Sequence, residues 1–219
     1  IGYFYNLHHL GIFTQANKYQ EIPPNIIGNT FRTVAISVFA EVNDDEVRMR
    51  GALEKNMKFI AFSIFPLMLL LILIAQPLFL VLFKEKWLPS VPYFQILCIG
   101  GMFAPFISVI NELFIAKGRS NIFLGIEFLR KILLILLIVI LFSFGITGLS
   151  WSWSIYSFVT LLISVYFLKN TIKYSFGNFV KDVSPYLLTS LASGAIIYFV
   201  PTFLDNPYLI IGVSGGVFS

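Results

Sequence analysis

The sequence predicts an all-α fold, a polytopic transmembrane helix bundle, on three observations. Residues 60–83, IAFSIFPLMLLLILIAQPLFLVLF, carry no charge and only two polar side chains, Ser63 and Gln76. At 1.5 Å per residue a helix of that length covers about 36 Å against a hydrocarbon core of roughly 30 Å, so it crosses with room for tilt. Composition agrees: 58% of the residues are hydrophobic and 12% charged, with a mean hydropathy of +0.85, more apolar surface than a soluble domain of this size can bury. The third observation is charge placement. Nine Lys and Arg residues fall in the segments 43–58, 117–121 and 169–185, against three in the segments of opposite side, Lys18, Lys84 and Lys86. Cationic loops stay in the cytoplasm, so the three basic segments are expected there.

Each element follows from local pattern. Residues 1–14 read as the end of a helix, with Tyr3, Phe4 and Tyr5 suited to an interfacial aromatic belt. His8 and His9 are adjacent and project about 100° apart on a helix, which suits an interface better than a shared metal. Pro23 and Pro24 start a helix over 25–42 with a divided surface. Ile27, Phe31, Val34, Val38 and Val42 share one face, and Asn25, Asn29 and Arg32 gather on the opposite one, with Thr33 at its edge. Residues 43–58 are expected as a surface helix capped by Asn43 or Asp44 and solvated along the membrane plane. Further spans are expected over 60–83, 93–116, 122–144, 150–168 and 186–204, with one more beginning at 208–219. Gly100, Gly101 and Pro105 interrupt the span 93–116, where small residues permit close packing and bending. The chain opens on Ile1, without a signal-type front, and is read as an internal piece of a longer polypeptide. The lone Cys98 can form no internal disulfide.

The ionisable residues within or beside spans are the candidate site. An arginine in mid-span is costly unless it faces the bundle interior or an aqueous cavity, and Arg32 is placed there; the structural alternative is snorkelling to the headgroups. Asn25 and Asn29 join it as cavity candidates for substrate binding. Glu112 is either an interfacial residue near Lys117 or a proton or cation site, and Glu127 with Lys131 is expected to form an i, i+4 ion pair in the favourable order. No metal site and no cofactor are expected. The sequence contains no GxSxG, Walker loop or HExxH, and GRSNIFLG lacks the preceding strand of a phosphate loop. Transport therefore fits better than bond chemistry, and the net charge of +4 reports topology and anionic lipid rather than nucleic acid.

Three stretches resemble the carboxyl-terminal half of the lipopolysaccharide and polysaccharide flippases, within the multidrug, oligosaccharidyl-lipid and polysaccharide exporter superfamily. They are LGIFTQANKYQEIPPNIIG (10–28), FPLMLLLILIAQPLFLVLFKEKW (65–87) and AKGRSNIFLGIEFLRKI (116–132). The chain departs from that pattern where VFAEV (38–42) lacks the family's proline and where Lys84 replaces a common glycine. The resemblance implies that residues 1–219 are the second bundle of a two-lobe transporter that moves an undecaprenyl-diphosphate-linked oligosaccharide across a bacterial inner membrane by alternating access. It also implies a lipid-linked oligosaccharide and the phospholipid bilayer as partners, with a glycan polymerase and glycosyltransferases beside them. The alternatives are a cation-coupled multidrug exporter of the same superfamily, using Glu112 or Glu127, and a membrane-embedded glycan polymerase or acyltransferase, which would call for a large external loop or a catalytic His or Arg group.

Overall fold

The computed structural model describes residues 7–199, which form nine α-helices. They are α1 (Leu7–Gln20), α2 (Ile22–Glu41), α3 (Glu46–Leu73), α4 (Ala75–Phe83), α5 (Val91–Gly101), α6 (Ala104–Ala116), α7 (Ser120–Leu141), α8 (Gly145–Ile172) and α9 (Phe176–Phe199). Short 3₁₀ turns over Glu85–Ser90 and Phe142–Phe144 join α4 to α5 and α7 to α8. The expectations for residues 1–6, for the span at 208–219 and for the end of the span at 186–204 lie outside the described residues, as do the side chains of His8 and His9.

The charged segment 43–58 is not a separate surface helix. It is the first half of α3, which runs without interruption into the hydrophobic span. Met49, Leu53, Met57, Ile60, Ala61, Ile64 and Met68 are buried along one continuous stripe, so nothing in the sequence between Glu46 and Phe65 tells the helix to stop. The charges simply occupy the other faces. Its cap is Asp45, one residue beyond the expected pair, in extended backbone with its carboxylate accepting from the amides of Val47 and Arg48 at 2.9 and 3.0 Å.

Prolines set the breaks. Pro77 has no N–H to offer the carbonyl of Leu73, and its ring crowds that carbonyl; α3 ends there, turns at Ile74, and α4 begins at Ala75. The span expected over 93–116 breaks the same way: Pro105 cannot donate to Gly101, and the chain turns at Met102 and Phe103 before α6. Pro66 is carried inside α3, where the surrounding helices keep the chain straight enough to continue. The connector expected at 169–185 is likewise mostly helical: α8 runs to Ile172, Lys173 adopts φ 54°, and α9 starts at Phe176. Asp182 of α9 explains the shortened turn. Its carboxylate accepts from the Tyr174 hydroxyl at 2.9 Å and pairs with Lys58 of α3 at 3.2 Å, so two helices and the turn are pinned together. Burial and the neighbouring Asp182 carboxylate raise the Tyr174 pKa above the ordinary phenol value, keeping it a donor.

The main packed pairs are α2 with α6, α3 with α9, α5 with α8, α7 with α8 and α2 with α3. Small residues govern the closest of these. Gly100 of α5 lies against Ser154 of α8 so tightly that a Cβ would stand 2.6 Å from the serine Cα. The outward face of α7 is mostly apolar, with Leu124, Phe128, Ile135 and Val139 exposed beside Lys131, which suits lipid contact. Three helical stretches, Glu46–Leu73, Glu85–Ala116 and Phe123–Ile172, are long and apolar enough to cross a bilayer.

Gly100→Ala is expected to destabilise the bundle by about 1–3 kcal/mol, the usual cost of overpacking against backbone that cannot yield. Thermal unfolding of the detergent-solubilised protein checks it, and a midpoint equal to that of the parent contradicts the α5–α8 contact.

Candidate functional site

Helix α2 carries the candidate residues Asn25, Asn29 and Arg32 on a divided surface, although the division falls one residue away from the expected one. The buried stripe is Pro24, Gly28, Ala35 and Phe39, not Ile27, Val34 and Val38, and Val34 is 52% exposed. Gly28 and Ala35 are the small residues of α2 that face α6, and a Cβ at Gly28 would meet Pro105 at 3.6 Å, an ordinary van der Waals contact. Close backbone approach, rather than side-chain bulk, decides which face turns inward. Beside that stripe, Asn25, Asn29 and Arg32 lie within about 60° of one another and are exposed.

Arg32 and Glu112, 80 residues apart in sequence, meet across the α2–α6 contact, with Arg32 Nε donating to Glu112 Oε1 at 2.5 Å. The carboxylate side chain is 9% exposed and the guanidinium side chain 50%. Glu112 is therefore not a free carboxylate, and its cation is Arg32 rather than Lys117, which instead donates to the Asn43 carbonyl. Only Nε of Arg32 is engaged among the described residues, so its four terminal N–H donors remain presented in a flat fork. That is the geometry which grips a phosphate or carboxylate through two parallel hydrogen bonds.

A second guanidinium occupies the other side of α6. Arg130 of α7 is 3% exposed and donates to Asn111 Oδ1 of α6 at 3.1 Å and to Ser164 Oγ of α8 at 2.6 Å, and it is salt-bridged to Glu127. This corrects the expected Glu127–Lys131 pair: Glu127 turns to Arg130 one turn away, and Lys131 is exposed. A buried guanidinium without a carboxylate is far more costly than a surface lysine without one, so the anion goes where burial demands it. Sequence reading passed over Arg130 because it lies between Glu127 and Lys131 in the first half of α7, where charges suit a membrane edge, and its burial is made by α6 and α8.

Residues 1–92 match the family model of the polysaccharide biosynthesis proteins. The chain is 28% identical to the teichuronic acid biosynthesis protein TuaB of Bacillus subtilis over 203 residues, 90% of this chain and 41% of TuaB. It is 22% identical to the lipopolysaccharide biosynthesis protein WzxC of Escherichia coli over 208 residues, 94% of this chain and 39% of WzxC. The chain is similar to polysaccharide biosynthesis proteins of the membrane. Its fold matches the inward closed conformation of the lipid II flippase MurJ at a TM-score of 0.80 and 19% identity, covering 98% of this chain and 46% of MurJ. The chain spans about two fifths of the length of the curated relatives it matches, and it is a multi-pass membrane protein.

Arg130→Ala should cost about 3–5 kcal/mol, the range for breaking a buried ion pair, whereas Lys131→Ala should stay within about 0.5 kcal/mol. Equilibrium unfolding of the two variants separates the i, i+3 pairing from the i, i+4 one; equal losses contradict it.

Proposed function

We propose that the protein moves an undecaprenyl-diphosphate-linked oligosaccharide across a bacterial inner membrane by alternating access, with this chain forming the second of two lobes. One observation carries the reading: the open guanidinium fork of Arg32, held at Nε by Glu112 and continued along α2 by Asn25 and Asn29. A diphosphate and its sugars cannot enter hydrocarbon, while the polyprenyl tail can stay there, so the carrier must replace water around the head alone. Cationic and amide side chains on one helix face do that. Glycosyltransferases would supply the lipid-linked glycan and a polymerase would consume it on the far side. The named relatives in teichuronic acid and lipopolysaccharide biosynthesis support this reading over drug export. The engagement of Glu112 by Arg32 points the same way, because a carboxylate already held by a guanidinium is poorly placed to ligate a coupling cation.

Arg32→Ala is expected to abolish surface glycan in a strain lacking the native gene, with the variant still present in the membrane. Surface glycan detected by immunoblot, set against membrane protein level, provides the measurement. Undiminished glycan at normal protein level removes Arg32 from the site.

A further inference from the structure

At the corner where α1 gives way to α2, the chain forms a recess of about 310 Å³ against α5 and α8. Its polar walls are Asn17, Gln20, Glu21 and Asn25, and Trp153 and Ser157 close it from α8. The floor is partly backbone: at Gly101 a Cβ would stand 2.6 Å from Gln20 Oε1 and 2.7 Å from the Met68 methyl, so no side chain could occupy it without displacing a wall. The amides are wired together. Asn17 Nδ2 donates to Glu21 Oε1 at 2.6 Å, and Gln20 Nε2 donates to Asn17 Oδ1 at 3.3 Å. Gln20 is 7% exposed, and its Oε1 is buried without a donor.

We propose that this recess is a carbohydrate subsite, which takes a sugar ring of the glycan whose diphosphate Arg32 holds; it rests on the function proposed above. The chemistry of the walls selects among ligands. A sugar ring offers an apolar C–H face and a rim of hydroxyls, each both donor and acceptor. An indole supplies a flat partner for the first, and amide and carboxylate groups answer the second. Trp153 is the indole, its orientation set by an edge contact with Tyr156 at 6.0 Å between centroids and 85° between planes. The second carboxylate oxygen of Glu21, the Asn25 amide and the Ser157 hydroxyl complete a mixed donor and acceptor rim. A phosphate does not fit, because none of the residues lining the recess is cationic and Glu21 would repel it. A polyprenyl tail does not fit either, because it would desolvate a carboxylate and three amides without giving them a hydrogen bond.

Position agrees with chemistry. Asn25 lies on the rim of the recess and seven residues before Arg32, close to two helical turns, so the two share a face at a separation of about 10 Å along the axis. A head with its diphosphate at Arg32 would direct its sugars along Asn29 toward this corner. On the topology read from the basic loops, the corner is on the extracytoplasmic side, where the glycan leaves.

The test is binding of two probes to the full-length protein in lipid nanodiscs, measured by native mass spectrometry. One probe is undecaprenyl diphosphate, and the other is the undecaprenyl-diphosphate-linked oligosaccharide purified from cells lacking this protein. The parent should bind the sugar-bearing lipid more tightly. Trp153→Ala should weaken that probe about tenfold while leaving the sugar-free probe unchanged; a loss of that size is ordinary for a buried aromatic anchor. Trp153→Phe should retain most of the preference, and Asn17→Ala, which disturbs the amide network without touching the indole, should lose part of it. Arg32→Ala should weaken both probes. Should Trp153→Ala and Asn17→Ala bind both probes as the parent does, or lose both in parallel, the subsite is overturned while the proposed transport stands. If the parent binds neither probe, the transport reading falls and the subsite falls with it.

Discussion

A guanidinium among hydrocarbon chains must keep an anion or a set of acceptors at hand, since the desolvation of an isolated ion costs several kcal/mol even after the surroundings relax. This chain meets that demand twice, on the two sides of one helix. Asn111 and Glu112 are neighbours on α6, and consecutive helical residues diverge by about 100°, so one faces Arg130 of α7 and the other Arg32 of α2. The two arginines differ in what is left over. Arg130 is enclosed and its terminal groups are engaged by three helices, whereas Arg32 is half exposed and, among the described residues, engaged at Nε alone. The first fastens α6, α7 and α8 together, and the second presents donors outward from a fastened helix. A rigid first cluster keeps Glu112 in register for Arg32, so the architecture behind α6 bears on the site in front of it.

The same economy shapes the helices. In water, Pro66, Pro77 and Pro105 would each be expected to end a helix, but in a bundle the freed carbonyls find neighbours, and the outcome depends on what stands nearby. At Pro77 and Pro105 the chain turns; at Pro66 it continues through a span whose neighbours on both sides, Phe65 and Met68 among them, are buried. Glycine acts by position. Gly100 and Gly101 each stand where another helix or side chain comes close, and they bring α5 to α8 and open the recess beside α1. The amide cluster at that corner and the guanidinium fork two turns along α2 form one polar track on an otherwise oily surface.

Much of this was legible in the residues. The uncharged stretch 60–83, the composition and the alternation of basic loops gave an all-helical membrane bundle, and the ordered motifs at 10–28, 65–87 and 116–132 gave a resemblance that the similarity to polysaccharide biosynthesis proteins supports. The polar stripe of Asn25, Asn29 and Arg32 was also visible, because polar residues at helical spacing in an apolar segment stand out. What could not be seen was which charges meet. Lys131 lies at the favoured spacing from Glu127, yet Arg130 takes the carboxylate, because the choice is made by burial and not by spacing along one helix. The segment 43–58 misled for a related reason: its charges read as a wet connector, while the apolar residues between them continue the stripe of the span.

The sequence alone therefore determined the solvent this protein lives in and the proteins it resembles, since both are written in composition and in short-range pattern, and neither needs a partner residue to be known. Only the tertiary structure decided that Arg32 answers to Glu112 across 80 residues, that Arg130 lies inside, and that an amide cluster, an indole and a bare glycine backbone share one recess. Those are contacts between faces of different helices. In an apolar bundle the faces are set by how closely backbones approach and by where a buried charge can find its counter-ion, and neither quantity has a period that can be read along the chain.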